Sequence, residues 1–424
     1  MDSVVNRIWA AIKRECLQVL AEGQGTPQQI DSAWLESFGD KAVAPCKLMD
    51  AEGLDSVVLT EEKYSQDHGS HTHILDFLRK AYIERGLLGD KCAKGGLYPP
   101  PRKISTPTLY FLDIAGEALH DITKAGRSGR VLSGGFDGRP LRVIAENQLV
   151  PDGLDICLST QRLFWTNMGI PGAGNGYINS SKLDGSDLRT IVAPGSGMVC
   201  TPKQLTIDQT ADRLYFCDRE GLSVIRCALD GSALETLVRT GDPQVLAHAA
   251  DQSRWCVGVA VDPTRNYLYW SQKGPSKGGR GSICRAGLDM PVGEDPAARS
   301  DIETLFQGLP ECVDLELDAE AGFLYWADRG EVPLGNSINR GYVGPDREAY
   351  LKKAHPLERK LGYVVLVKQL HEAIGVRLDK VNGHIYVTDL GGALYQYGLN
   401  GEEGKRVYEY MGVYTGLAVA HHRD

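Results

Sequence analysis

One five-residue pattern recurs six times along this chain: Leu109-Tyr110-Phe111-Leu112-Asp113, Leu163-Phe164-Trp165-Thr166-Asn167, Leu214-Tyr215-Phe216-Cys217-Asp218, Leu268-Tyr269-Trp270-Ser271-Gln272, Leu324-Tyr325-Trp326-Ala327-Asp328 and Ile385-Tyr386-Val387-Thr388-Asp389. Successive copies begin 54, 51, 54, 56 and 61 residues apart. Their aromatic and branched residues favour strands. A near-constant period of roughly 50 residues carrying such motifs points to a propeller or a repeat array.

The unit is larger than the motif. Nine residues before the last five copies stand Leu154, Leu205, Val259, Leu315 and Val376, each in an alternating stretch such as Val259-Ala260-Val261-Asp262. Alternation of period two marks a strand with one packed face. A third strand follows each of these motifs, over 176–184, 222–230, 282–289, 337–343 and 393–400, and several end in the turn signal Leu-Asp-Gly. A fourth follows at 188–192, 234–238 and 302–306. Four antiparallel strands per repeat make a propeller blade.

The first motif has no inner strand ahead of it. Gly416-Leu417-Ala418-Val419-Ala420, near the other end of the chain, matches the inner strands of the other blades. The reading is therefore a mainly β fold: a six-bladed β-propeller over 104–424, closed by the C-terminal strand so that no edge stays open. The motifs resemble the Tyr-Trp-Thr-Asp repeats of low-density-lipoprotein-receptor class B propellers, and their aromatics are expected to pack within the blades.

The first hundred residues carry a different period. Val5, Ile8, Trp9, Ile12, Cys16, Val19 and Leu20 fall at helical spacing, and Thr26-Pro27-Gln28-Gln29 starts a second helix. Further helices are predicted near 54–64 and 73–85. A small all-α domain over 1–96 thus precedes a Gly/Pro-rich linker at 97–103. Asn6-Arg7-Ile8, the stretch from Leu20-Ala21-Glu22-Gly23 to Ile30-Asp31, Leu48-Met49-Asp50 with Gly53-Leu54-Asp55, and Arg85-Gly86-Leu87-Leu88-Gly89 resemble the C-terminal domain of 3-hydroxyacyl-CoA dehydrogenases. The resemblance implies a dimerising module and, at Asn6, a residue that helps bind substrate in that family. The sequence contains no strand–GxGxxG–helix unit, so dehydrogenase chemistry is not expected.

A net charge of −9, with no basic stripe carrying aromatics, argues against nucleic acid as a partner. No apolar run approaches membrane-spanning length, and the first residues lack a signal peptide's blocks. The ten cysteines form no CxxC and read as reduced thiols, so the expectation is a cytoplasmic protein.

Five long loops map to one face of the expected propeller. Three join second to third strands (167–176, 272–281 and 328–337), and two join blades (241–255 and 354–371). Long loops in a compact domain are commonly functional. On the inner strands one parity is uniformly apolar. The other, including Asp155, Gln204, Thr206, Asp314, Glu316 and Arg377, is expected to face the channel, with Arg377 paired to Glu316 or Asp155. His248, His355 and His371 fall on the same face, while His421 and His422 lie by the closing strand. Calcium, as in lactonase-type propellers, has candidates in Asp314 and Asn167 but no clustered motif. No GxSxG elbow or Ser/Cys–His coupling is visible.

The combination of this propeller with a dehydrogenase-derived helical domain resembles the hetero-Diels–Alderases of fungal tropolonic sesquiterpenoid biosynthesis. The resemblance implies a cofactor-free, metal-free cycloaddition. A tropolone quinone methide would join a cyclic humulene-type terpene, both small-molecule substrates; the helical module alone makes a homodimer the expected state. The residues expected on the polar side are Arg329, Lys273, Gln204, Asp314 and His371. Trp255 and Met168 are expected to wall the polyene, with Asn167 and Arg377 also contacting substrate. A metal-dependent lactonase or hydrolase and a non-catalytic interaction propeller are the alternatives.

Overall fold

Each repeat folds into one four-stranded antiparallel sheet, and the computed structural model contains six of them. It describes residues 2–39, 42–68, 72–92, 94–98, 106–116, 126–138, 141–409 and 412–421; residues 99–103 of the expected linker and His422 lie outside these. The chain divides into two units, Met1–Lys103 and Ile104–Asp424.

In the second unit the innermost strands of blades 1 to 6 are Tyr414–His421, Pro151–Cys157, Pro202–Asp208, Cys256–Asp262, Cys312–Asp318 and Ala373–Asp379. Tyr414–His421 pairs antiparallel with Pro107–Asp113, so the last described strand completes the first blade. The six-bladed propeller and its closure are as the sequence predicts. Motif aromatics fill the space between blades. Trp165, Trp270 and Trp326 are almost completely buried, and Trp165 Nε1 donates to Gln148 Oε1 at 2.8 Å, satisfying its one polar atom.

Every inner strand is interrupted at the same place. Pairing to the motif strand shifts between Pro151 and Leu154, Pro202 and Leu205, Cys256 and Val259, Cys312 and Leu315, and Ala373 and Val376. The closing strand has a similar irregularity. These are β-bulges, which break alternation and re-aim side chains. The motif's small polar residue serves the bulge. Thr166, Ser271 and Thr388 each accept a bond from a bulge glycine N–H, Gly153 at 2.9 Å, Gly258 at 2.8 Å and Gly375 at 3.1 Å. Each then donates to a carbonyl of the next inner strand, Lys203, Val313 or Thr415. A Cβ on Gly258 would lie 1.9 Å from Val313 O, so glycine is required where neighbouring strands come this close. The motif's last residue holds the loop between blades. Asp218, for example, accepts from Cys200 N–H (2.8 Å) and Thr201 N–H (2.7 Å).

Blade 5 departs from the sequence reading. Its fourth strand is Val364–Val367, and two short helices, Arg347–Lys353 and Pro356–Leu361, precede it. The segment 354–371 is therefore not one loop between blades. Strands alternate in direction, so a connection between third and fourth strands lies at the end opposite the other four long loops. His355 goes with it, its Nδ1 accepting from Leu357 N–H at 3.3 Å.

The first unit contains helices Asp2–Ala21, Pro27–Phe38, Pro45–Glu52, Leu54–His68 and Thr72–Ala81. The helix start at Thr26 is as the sequence predicts, and Thr26 and Gln29 form a capping box there. The helix Pro45–Glu52 was not expected. Its cap residue Ala44 offers no side-chain bond. Instead buried Asp31 accepts from Cys46 N–H (2.8 Å) and Lys47 N–H (3.0 Å) in its first turn. Asp50 likewise accepts from Leu97 and Tyr98 N–H, both at 2.7 Å. These family-matching carboxylates fasten backbone. Asn6 lies in the first helix, and its side chain is outside those described.

Candidate functional site at the channel mouth

The bulges place one residue per blade at the end of the channel where the motifs finish: Thr415, Asp152, Lys203, Val257, Val313 and Ile374. The set divides by chemistry. Lys203 Nζ meets Asp152 Oδ1 at 2.6 Å and the Met168 sulfur at 3.0 Å. Gln204 Nε2 donates to Asp152 O and Oδ2, each at 3.1 Å, while Gln204 Oε1 is buried without a partner. Across blades 4 to 6, Val257, Val313 and Ile374 form one apolar cluster with Leu390 packed against it.

A second polar group stands beside the first. Glu311 Oε1 accepts from Lys273 Nζ at 2.6 Å and Ser276 Oγ at 3.2 Å, and the Arg329 guanidinium forms ion pairs with Glu311 at 3.1 Å, without a hydrogen bond from Nε, and with Glu372 at 3.5 Å. Trp255 is held by its Nε1 bond to Ala249 O (3.1 Å), with the Arg219 guanidinium 4.8 Å and the Lys273 ammonium 5.7 Å from its ring centre. Glu220 accepts from Thr201 Oγ1 (2.6 Å) and Gly172 N–H (2.9 Å), tying the 167–176 loop to blade 3.

Burial pushes the Lys203 ammonium down to about 8, against the pull of Asp152. Burial also lowers Lys273, against Glu311. The Arg219 and Arg329 charges disfavour both ammonium groups.

Deeper in the channel Arg377 acts as a crossbar. From blade 6 it donates to Asp314 Oδ2 (3.0 Å) of blade 5 and to Leu154 O (3.1 Å) of blade 2, with Glu316 at 3.6 Å. Burial raises Asp314 to about 6 and Glu316 to about 7 in spite of this partner. Beyond it, at the far end, lies a cavity of about 290 Å³ lined by Asp155, Thr206, Glu316 and Arg377. A larger hollow of about 590 Å³ lies on the flank of blade 1 beside Tyr110 and Arg142, away from the mouth.

The sequence-predicted residues thus separate. Lys273, Arg329, Gln204, Met168 and Trp255 meet at the mouth. His371 is an exposed residue on its rim, its backbone N–H held by Asp389 at 3.1 Å. Asp314 and Arg377 occupy each other inside the channel instead of presenting free groups. Asn167 is fully buried and accepts from Leu149 N–H at 3.1 Å, the part that aspartate plays in other blades. The sequence reading missed Asp152, Lys203 and Glu311, because simple alternation assigns Asp152 and Lys203 to the wrong face when a bulge intervenes. Among the described residues no group of three or more His, Cys, Asp or Glu is placed to hold a metal ion. No helix among them is long and apolar enough to cross a membrane.

Residues 4–98 match the family model of the 3-hydroxyacyl-CoA dehydrogenase C-terminal domain. Over 423 residues the chain is 39% identical to the 3-hydroxyacyl-CoA dehydrogenase-like protein LAM1 of Cochliobolus heterostrophus, covering 98% of this chain and 87% of that protein. The chain belongs to the family of LAM1. A Pyricularia oryzae protein named low-density lipoprotein receptor-related protein 1 is 41% identical over 295 residues, 69% of this chain and 93% of its own. In the solved nidogen/laminin complex a chain superposes with a TM-score of 0.52 at 15% identity, covering 74% of this chain and 98% of that one, a likeness of fold alone. The LAM1 match spans both units, so the pairing of helical unit with propeller is shared with that fungal relative.

Proposed function

We propose that this LAM1-family chain is a pericyclase of fungal secondary metabolism. It would join a tropolone o-quinone methide to a humulene-type sesquiterpene by an intermolecular hetero-Diels–Alder reaction at the channel mouth. The observation that carries this reading is the division of the bulge ring into a charged arc, Asp152 and Lys203, and an apolar arc, Val257, Val313 and Ile374. A reaction between a polar ring and a hydrocarbon needs such a surface.

The cycloaddition itself requires no nucleophile. Holding both reactants in one orientation supplies on the order of 7–11 kcal/mol. The Lys203, Lys273 and Arg329 donors address the tropolone oxygens, where charge shifts as the new bonds form, and donors fixed beforehand stabilise that charge. Trp255 and the Val257–Val313–Ile374 arc hold the polyene and exclude water. No step is assigned to Asp314 or Arg377, which pair with each other deeper in the channel than the mouth.

The test incubates purified protein with a hydroxymethyl tropolone, which loses water to give the quinone methide, and a humulenol-type polyene, with heat-killed protein as control, and resolves adducts by chiral chromatography and mass spectrometry. Faster formation of a single stereoisomer, insensitive to chelator, is expected. Identical profiles with live and dead protein overturn the reading for these substrates.

A further inference from the structure

Gln204 is fully buried, and its amide orientation is fixed because Nε2 faces two acceptors, Asp152 O and Oδ2. Its Oε1 is thereby turned away from Asp152 and has no donor. A buried acceptor left unpaired is costly, and such atoms in a folded protein call for an explanation. The neighbouring Lys203 shows the complementary feature. One of its N–H groups goes to Asp152 Oδ1, while another is spent on the Met168 sulfur at 3.0 Å. Thioether sulfur is a weak acceptor on a flexible side chain. An incoming oxygen would replace it at a gain. Because the two oxygens of one carboxylate hold the Lys203 and Gln204 head groups, donor and acceptor stand side by side.

We propose that Lys203 and Gln204 together read the vicinal carbonyl–hydroxyl pair of the tropolone from which the quinone methide forms by loss of water. The ligand's carbonyl oxygen takes the ammonium direction now filled by Met168, and its hydroxyl donates to Gln204 Oε1. Met168 swings aside to admit it. This rests on the mouth being the reactive site, and it names the chemical class admitted there: α-hydroxy-enones, of which tropolone is one. The pair discriminates strongly because an analogue lacking the hydroxyl leaves Gln204 Oε1 unpaired at a buried position, a loss that good packing elsewhere does not restore.

Calorimetric titration of the full chain with tropolone and with 2-methoxytropone tests this. The wild type is expected to bind tropolone at least tenfold more tightly than the methyl ether, which keeps the carbonyl and loses the donor. In Gln204→Leu the preference is expected to fall to within about twofold, in the manner of a double-mutant cycle. Lys203→Met is expected to weaken both ligands alike. Comparing ligands on the wild type needs no variant, so misfolding of Gln204→Leu cannot hide a failure. Equal wild-type affinity for the two ligands, no tropolone binding at millimolar concentration, or an unchanged preference in Gln204→Leu overturns the proposal. Its failure is distinguishable from that of the cycloaddition. Stereoselective adduct formation with equal affinities sinks the recognition alone, and the binding pattern without adduct sinks the reaction alone.

Discussion

Lys203 and Asp152 occupy equivalent bulge positions on adjacent blades, and their ammonium and carboxylate meet at 2.6 Å with side-chain exposures of 11% and 3%. A pair this buried owes its persistence to mutual compensation, and deleting either member leaves the other to face the desolvation cost.

The two deletions are not equivalent. Lys203→Met strands a carboxylate and is expected to cost about 3–5 kcal/mol. Asp152→Asn strands an amine that burial already pushes to about 8, so it can shed its proton. With the partner gone, the folded-state value drops further below its unfolded 10.5. The unfolded chain then binds more protons within that window, and stability rises with pH. Urea unfolding at pH 7 and pH 9 is expected to show Asp152→Asn recovering stability at the higher pH and Lys203→Met not doing so.

Asp328 predicts the opposite slope. Its Oδ1 accepts from Glu311 N–H (3.0 Å) and Gly330 N–H (2.9 Å), its Oδ2 has no partner, and burial lifts it from 3.8 to about 7. A carboxyl raised on folding contributes stability that is full below pH 4 and is lost as pH rises through 7. Blade 2 places Asn167 in the same role. Asp328→Asn is therefore expected to fold at least as stably as wild type at pH 8, and to flatten the decline in unfolding free energy between pH 4 and pH 7. A loss above about 1 kcal/mol at pH 8 would show that the ionised form matters.

Arg377 ties blade 6 to blades 2 and 5 through the channel. Arg377→Met leaves Asp314 and Glu316 without their cation and is expected to lower stability by about 3–5 kcal/mol at pH 7.5. The deficit is expected to shrink at pH 5, where carboxyls raised to about 6 and 7 are protonated. Denaturant midpoints at the two pH values measure this.

These placements show which parts of the molecule the sequence exposes. The blades are legible because the motif repeats at near-constant spacing, and the closing strand because Gly416–Ala420 copies the other inner strands. The bulges are not legible. Glycine marks the position in four blades (153, 258, 375 and 416), but Gln204 and Asp314 replace it in the others. Nothing in a period-two pattern says that Asp152 and Lys203 turn inward. The helix Pro45–Glu52 was hidden for a related reason: its cap, Asp31, comes from elsewhere in the chain. Strand Val364–Val367 is four residues long and follows two helices, too brief to reveal which end of the ring its connection serves.

The apolar arc gives the sharpest test of the proposed reaction. Ile374 packs with Val257 and Val313 at the mouth, whereas Val259, on the same strand as Val257, packs in the core between blades. Ile374→Val removes one methylene and is expected to cost about 0.5–1.5 kcal/mol of stability. If the arc holds the polyene, the missing contact raises the polyene KM by about tenfold, the low end of what one methylene decides in an apolar pocket. The tropolone KM is expected to stay within twofold. Val259→Ala creates a larger cavity away from the mouth, so it is expected to lower the unfolding midpoint more and to leave both KM values unchanged. Equal effects of the two variants on polyene KM would mean that the arc acts through stability alone, and would remove the main support for a hydrocarbon reactant at the mouth.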